Sequence, residues 1–120
     1  MKPVINDTHF GSINIAHHQY DHDVFIGLDG VIQKRKKKLS KDIYGTCHIV
    51  SLEEAHSLFQ DGATKLIIGN GQEGRLSISE EAQSLFNAKG CVVELMATPE
   101  AIAAWNHTTE LVIGMFHVTC

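Results

Sequence analysis

No run of about 18 apolar residues occurs in this sequence, so no helix in it is expected to span a bilayer. The start, Met1-Lys2-Pro3-Val4-Ile5-Asn6-Asp7, lacks the apolar stretch and small-residue cleavage site of a signal peptide, which points to the cytoplasm. Cysteine is scarce and odd in number: Cys47, Cys91 and Cys120 fit no disulfide framework, and reduced thiols are expected. Internal repeats and low-complexity linkers are also missing, so residues 1–120 read as a single domain. A chain of 120 residues with 43% hydrophobic content can bury roughly 65% of its unfolded surface. Its core therefore needs neither metal nor disulfide.

Charge is unevenly spread. The net value of −4 argues against general or specific nucleic-acid binding, yet six of the ten basic residues lie between Lys34 and Lys41. The remainder carries all fourteen acidic residues. The run has no interleaved aromatics for base stacking. Arg35, Lys36, Lys37, Lys38 and Lys41 are therefore candidates for docking an acidic protein or anionic head groups, the alternative being a solvated loop.

Patterning organises the rest. Asp23 to Lys34 reads as two extended runs either side of Asp29-Gly30, which suits a β-hairpin, and Phe10 to Ala16 suits another strand. Arg35 to Val50 shows no period and reads as a long connection. Ser51 with Glu54 forms a capping box ahead of Leu52, Ala55, Leu58 and Phe59, a helical face ending near Asp61-Gly62. Lys65 to Gly69 and Cys91 to Met96 read as buried strands, and Leu111 to Val118 as the last strand. Ser79 caps a helix presenting Ala82, Leu85 and Phe86. Thr98-Pro99-Glu100 starts another, with Thr98 as cap and Ala101, Ile102 and Trp105 on its apolar side. Helices alternating with buried strands imply an α/β domain with a mostly parallel sheet, to which the hairpin adds an antiparallel element.

Five words of sequence occur in a specific order: Tyr20-Asp21-His22-Asp23-Val24, Tyr44-Gly45-Thr46-Cys47-His48, Leu66-Ile67-Ile68-Gly69-Asn70-Gly71, Thr98-Pro99-Glu100-Ala101-Ile102 with Trp105-Asn106, and the ending Gly114-Met115-Phe116-His117-Val118-Thr119-Cys120. In this the chain resembles the Mth-type domain family of unknown function, whose relatives include an adipogenesis-associated protein and the mitochondrial respiratory complex I assembly factor three. The resemblance implies a three-layer fold whose central mixed sheet has its final strand antiparallel to the others. It also implies a non-catalytic binding or assembly-factor-like role, without an established activity or cofactor.

Four groups of residues carry possible chemistry. Gly69-Asn70-Gly71-Gln72-Glu73-Gly74 is a formal G-x-G-x-x-G after a strand, with Glu94 twenty positions beyond Gly74. Arg75 to Ile78 then delays the helix that should meet a pyrophosphate, which favours a structural loop or a small-anion site with Arg75 over a dinucleotide cofactor. His17, His18, Asp21, His22 and Asp23 contain metal-ligand types, but alternation puts them on opposite faces. Cys47, His48, His117 and Cys120 are zinc-type ligands at spacings that split faces, so no metal is assigned; a Cys-His nucleophile pair would lack an orienting acid. The two histidines are instead expected to hydrogen-bond where loop and last strand meet. If a small molecule is bound, Gly69, Gly71, Arg75, Ser40, Cys47 and His48 are the candidates. A pocket joining His48 to the glycine segment would favour that reading over protein docking.

Overall fold

In the N-terminal segment, Ile5, Ile13 and Ile15 are buried while polar neighbours alternate outward, a period of two that makes strands. A computed structural model describes residues 2–118. It shows β1 (Ile5–His9), β2 (Ser12–Ile15) and β3 (His18–Tyr20) as an antiparallel meander, of which the sequence pattern had indicated only the middle strand. The β2–β3 turn is made by Ala16 and His17, both at positive φ, and Asn6 Oδ1 accepts a hydrogen bond from the His17 amide.

The hairpin is formed by β4 (Val24–Ile26) and β5 (Ile32–Lys34). Ile26 pairs with Ile32, so the connection is a five-residue loop and not a two-residue turn on Asp29-Gly30; Gly30 alone in it has positive φ. The expected irregular connection contains a short helix, α1 (Lys38–Tyr44), followed by β6 (Ile49–Val50). Then follow α2 (Leu52–Leu58), β7 (Lys65–Gly69), β8 (Ser77–Ile78), α3 (Glu80–Ala88), β9 (Val92–Met96), α4 (Thr98–His107) and β10 (Val112–Phe116).

Five strands form the central mixed sheet in the order β5-β4-β10-β7-β9. β10 is parallel to β7 and antiparallel to β4. The expected reversal of the final strand thus holds on one side only: α4 is a crossover that brings β10 back parallel to β7, and β4 supplies the opposed direction. β9 lies at an edge, which is why Val92 is exposed although the apolar run reads as buried.

Neighbouring side chains on a strand serve opposite faces. Leu66 and Ile68 of β7, Ile113 and Met115 of β10 and Phe25 of β4 pack with Ala55, Leu58, Ala82 and Phe86 of α2 and α3. Ile67, Phe116, Val24 and Ile26 pack on the other face with Ala101 and Trp105 of α4 and the isoleucines of β1 and β2. The result is three layers. Trp105 lies against β10 because position 114 is glycine, where a Cβ would come within 2.8 Å of the indole.

Helix starts are partly as the sequence implies. Ser51 and Ser79 accept from the amides of Glu54 and Ala82. Thr98 is not a cap: it is the first residue of α4, Ala97 holds the cap position, and the Thr98 hydroxyl donates to His117 O and accepts from the Gly71 amide. No helix among the described residues is long and apolar enough to cross a membrane.

Candidate functional site

Parallel strands end their carboxyl termini in a common direction, and open α/β sheets place ligands there. At those ends of β7 and β10 lies an open pocket of about 280 Å³, lined by residues that include Phe10, His48, Asn70, Gly71, Arg75 and His117. Each arrives from a different part of the chain. Phe10 is 80% exposed at the β1–β2 turn, and the next residue is held in place by Gly11 N–H donating to Val118 O. His48 directly precedes β6, His117 follows β10, and the glycine segment follows β7.

The glycine segment is fixed on its inner side. Asn70 N–H donates to Met96 O, Leu76 N–H to Asn70 O, and Gly71 N–H to the Thr98 hydroxyl. Gly71 has φ +102°, and a Cβ there would stand 3.0 Å from His117 Cδ2. Glycine is therefore required both for the turn and for the approach of the ring. Asn70 Oδ1 is buried without a donor among the described residues, a valence that a bound hydroxyl, amide or water would fill. Arg75 reaches the pocket wall paired with Glu73 at 2.8 Å, and both side chains are largely exposed.

A buried polar frame stands behind the histidines. His117 Nδ1 lies 2.7 Å from Asp23 Oδ2, which also accepts from Arg35 Nη1 at 3.0 Å, while Asp23 Oδ1 accepts from the Val118 amide. Arg35 continues to Glu54 through Nε and Nη2 and donates to Cys47 O. The Ser40 hydroxyl donates to Glu54 Oε1 and accepts from the Ser51 amide. A carboxylate is an acceptor only, so His117 bears its proton on Nδ1 toward Asp23 and turns Nε2 to the pocket side. His48 packs edge to face on His117, with centroids 5.5 Å apart. Burial, followed by the positive fields of His117, Arg75 and Arg35, lowers the His48 pKa against an opposing pull from Asp23.

The model of the family described as "Protein of unknown function (DUF498/DUF598)" matches residues 5–115. This chain belongs to that family. It is also similar to the conserved hypothetical protein PH1505 from Pyrococcus horikoshii OT3, at 30% identity over 97% of this chain and 98% of that one, with a TM-score of 0.89. A structure described as MT938 is 29% identical over 99% and 100% of the two chains, with a TM-score of 0.81. A Mth938-like domain from Bordetella pertussis is 14% identical over 97% and 85%, with a TM-score of 0.63, a likeness of fold alone. No curated protein matches the sequence. The Mth-type resemblance thus stands.

Of the ligand-site residues drawn from sequence, the structure brings His48, Gly71 and Arg75 together at the pocket, with Gly69 under it against Thr98 and Phe116. Ser40 and Cys47 do not line it: both are buried, Ser40 among Ser51 and Glu54. Cys47 is disulfide-bonded, against the expectation of reduced thiols; Cys91 is free and buried, and Cys120 lies outside the described residues. Among the docking candidates, Lys36, Lys38 and Lys41 are exposed and Lys37 half-buried, but Arg35 is 3% exposed and belongs to the frame. Asp23 is likewise a core carboxylate and no surface or turn residue. No group of three metal-type ligands occurs among the described residues. The helix after the glycine segment starts only at Glu80, beyond β8, so its amides do not open onto the loop as a dinucleotide site requires.

Sequence reasoning left Asp23, Phe10, Asn70 and His117 out of the ligand site. Asp23 and His117 stand 94 positions apart, and no local signal joins them. His117, read in sequence as a zinc-type ligand or as a hydrogen-bonding residue where loop and last strand meet, does hydrogen-bond there, with Asp23 as its partner, while His48 packs on its ring.

Proposed function

We propose that this chain is a non-catalytic binding domain whose ligand is a small oxyanion. The observation that supports this reading is the convergence of Arg75, His48, His117 and the glycine segment on one concavity at the carboxyl ends of β7 and β10. Phe10 adds an apolar wall, which suits a ligand whose anionic group is attached to a small hydrophobic body. A hydroxyl or amide on that body would satisfy Asn70 Oδ1.

Titration of the isotope-labelled chain with inorganic sulfate, followed through backbone amide resonances, tests this. The expected shifts centre on residues 70–75, His48 and His117, and Arg75→Gln weakens them. Absence of saturable change up to about 10 mM, or changes centred on α1, would overturn the reading.

A second reading has its own support. α1 exposes Leu39, Ile43 and Tyr44 beside Lys36, Lys38 and Lys41, a mixed apolar and basic surface of the kind an acidic protein partner could cover.

A further inference from the structure

The pocket wall holds both signs of charge. Arg75 and Glu73 stand side by side in it, Nη2 to Oε2 at 2.8 Å, with both side chains largely exposed. A pair so exposed contributes little to folding, so each member can take a new partner at small cost. A simple anion makes use of only one of them: it gains Arg75 and is repelled by Glu73. A ligand carrying both charges satisfies both.

The loop that carries this pair divides in the same way. Leu76 N–H closes it on Asn70 O, and the Gly71 amide is taken by the Thr98 hydroxyl. The amides of Gln72, Glu73 and Gly74 donate to no group among the described residues, and successive free amides suit a carboxylate. Asn70 Oδ1 is an acceptor without a donor among the described residues, and it lies beside position 74, 3.6 Å from where a Cβ on Gly74 would stand. An ammonium next to Glu73 would supply that donor. Phe10 adds the apolar part: at 80% it is the most exposed large apolar side chain described. Its turn is tied to the loop by Gln72 Nε2 donating to the Thr8 hydroxyl at 3.3 Å, and to the pocket lining by Gly11 N–H donating to Val118 O.

We propose that this pocket binds a free α-amino acid with an apolar side chain, held as its zwitterion. The carboxylate sits on Arg75 and the free amides of the loop, the ammonium donates to Glu73 and Asn70 Oδ1, and the side chain covers Phe10. This rests on the oxyanion reading above and deepens it, the oxyanion being an α-carboxylate. The cavity of about 280 Å³ falls just below the roughly 300–1,000 Å³ typical of drug-sized ligands, which suits one such molecule.

Backbone amide resonances of the isotope-labelled chain, titrated separately with L-leucine, isocaproate, glycine and inorganic sulfate, test the assignment. Isocaproate is leucine without its ammonium, and glycine is the zwitterion without an apolar side chain. L-Leucine should bind saturably, with shifts centred on Phe10 and residues 70–75, and the two analogues about tenfold more weakly, since each lacks one contact. Glu73→Gln should remove the preference for leucine over isocaproate, while sulfate, freed of the carboxylate's repulsion, binds more tightly. Phe10→Ala should bring leucine down to the level of glycine. Both side chains are exposed, so neither variant should disturb the fold. Equal binding of leucine and isocaproate, or a preference that persists undiminished in Glu73→Gln, would overturn the zwitterion and, with sulfate still bound, leave the oxyanion site standing. Leucine bound no better than glycine would likewise overturn an apolar amino acid as the ligand. Absence of sulfate binding at this loop would overturn the oxyanion site itself, and this inference with it.

Discussion

Arg35 and Glu54 form a buried pair, Nε to Oε2 at 2.6 Å, with both side chains fully withdrawn from solvent. The same guanidinium holds Asp23, so this one residue joins the end of β5, α2 and the segment before β4. A charge pair this deep is a poor source of net stability compared with an apolar filling, but losing one member is expensive because the others remain buried and uncompensated.

Arg35→Ala is therefore expected to destabilise the fold by about 3–5 kcal/mol, since it leaves Asp23 and Glu54 without the cation they share. Lys36→Ala, next in the chain but exposed, should stay within about 0.5 kcal/mol of wild type. Denaturant titration of the two variants checks the contrast. Equal small effects would mean that Arg35 is as solvated as its neighbours.

Ile67→Ala should cost about 2–5 kcal/mol by opening a cavity between β7 and α4. Ser51→Ala should cost about 1–2 kcal/mol, because the hydroxyl accepts from the Glu54 amide and donates to Leu39 O. Midpoints of urea unfolding rank them.

Gly114→Ala tests the packing of α4 on the sheet. The added methyl would lie 2.7 Å from a Phe116 ring carbon and 2.8 Å from the Trp105 indole, and we expect a loss of about 1–3 kcal/mol. Trp105 fluorescence should shift with it, since the indole must move for the methyl to fit.

His48 gives stability a pH dependence with a definite sign. Its folded pKa lies below the usual 6.5, so between the two values the unfolded chain binds more protons than the folded one. The contribution is present above pH 6.5 and is lost as pH falls through the folded value. His48→Gln should flatten that part of the profile, read as unfolding free energy at successive pH values; a steeper acid decline in the variant would contradict the sign.

For the α1 surface, Lys36, Lys38 and Lys41 changed together to glutamate should leave the melting temperature nearly unchanged, because exposed lysines contribute little to folding. If an acidic partner docks there, its association should slow and lose most of its salt dependence. Association kinetics at two ionic strengths with the captured partner decide this. Unchanged kinetics would reduce the patch to a solvated surface.

The class of fold was written in local pattern. The serine caps at Ser51 and Ser79, the apolar run at Lys65 to Gly69 and the alternation of helix and strand required only near neighbours, and each came out where it was expected. The meander strands β1 and β3 and helix α1 were hidden, because they are short, polar and half exposed, and take their order from what they pack on.

Polar partnerships were decided by the tertiary structure alone. Glu54 has the spacing of a capping-box residue, yet the Ser51 amide that it would have accepted from donates to Ser40, and Glu54 turns to Arg35. A basic run cannot announce that its second member is buried, since burial depends on two carboxylates delivered from elsewhere in the chain. The same holds for Asp23 and His117. Hydrophobic periodicity reports which face of an element is covered, and it is readable in a window of a few turns. Which buried polar groups then meet depends on strand order and crossover, which bring distant residues within hydrogen-bond range only once the sheet is assembled.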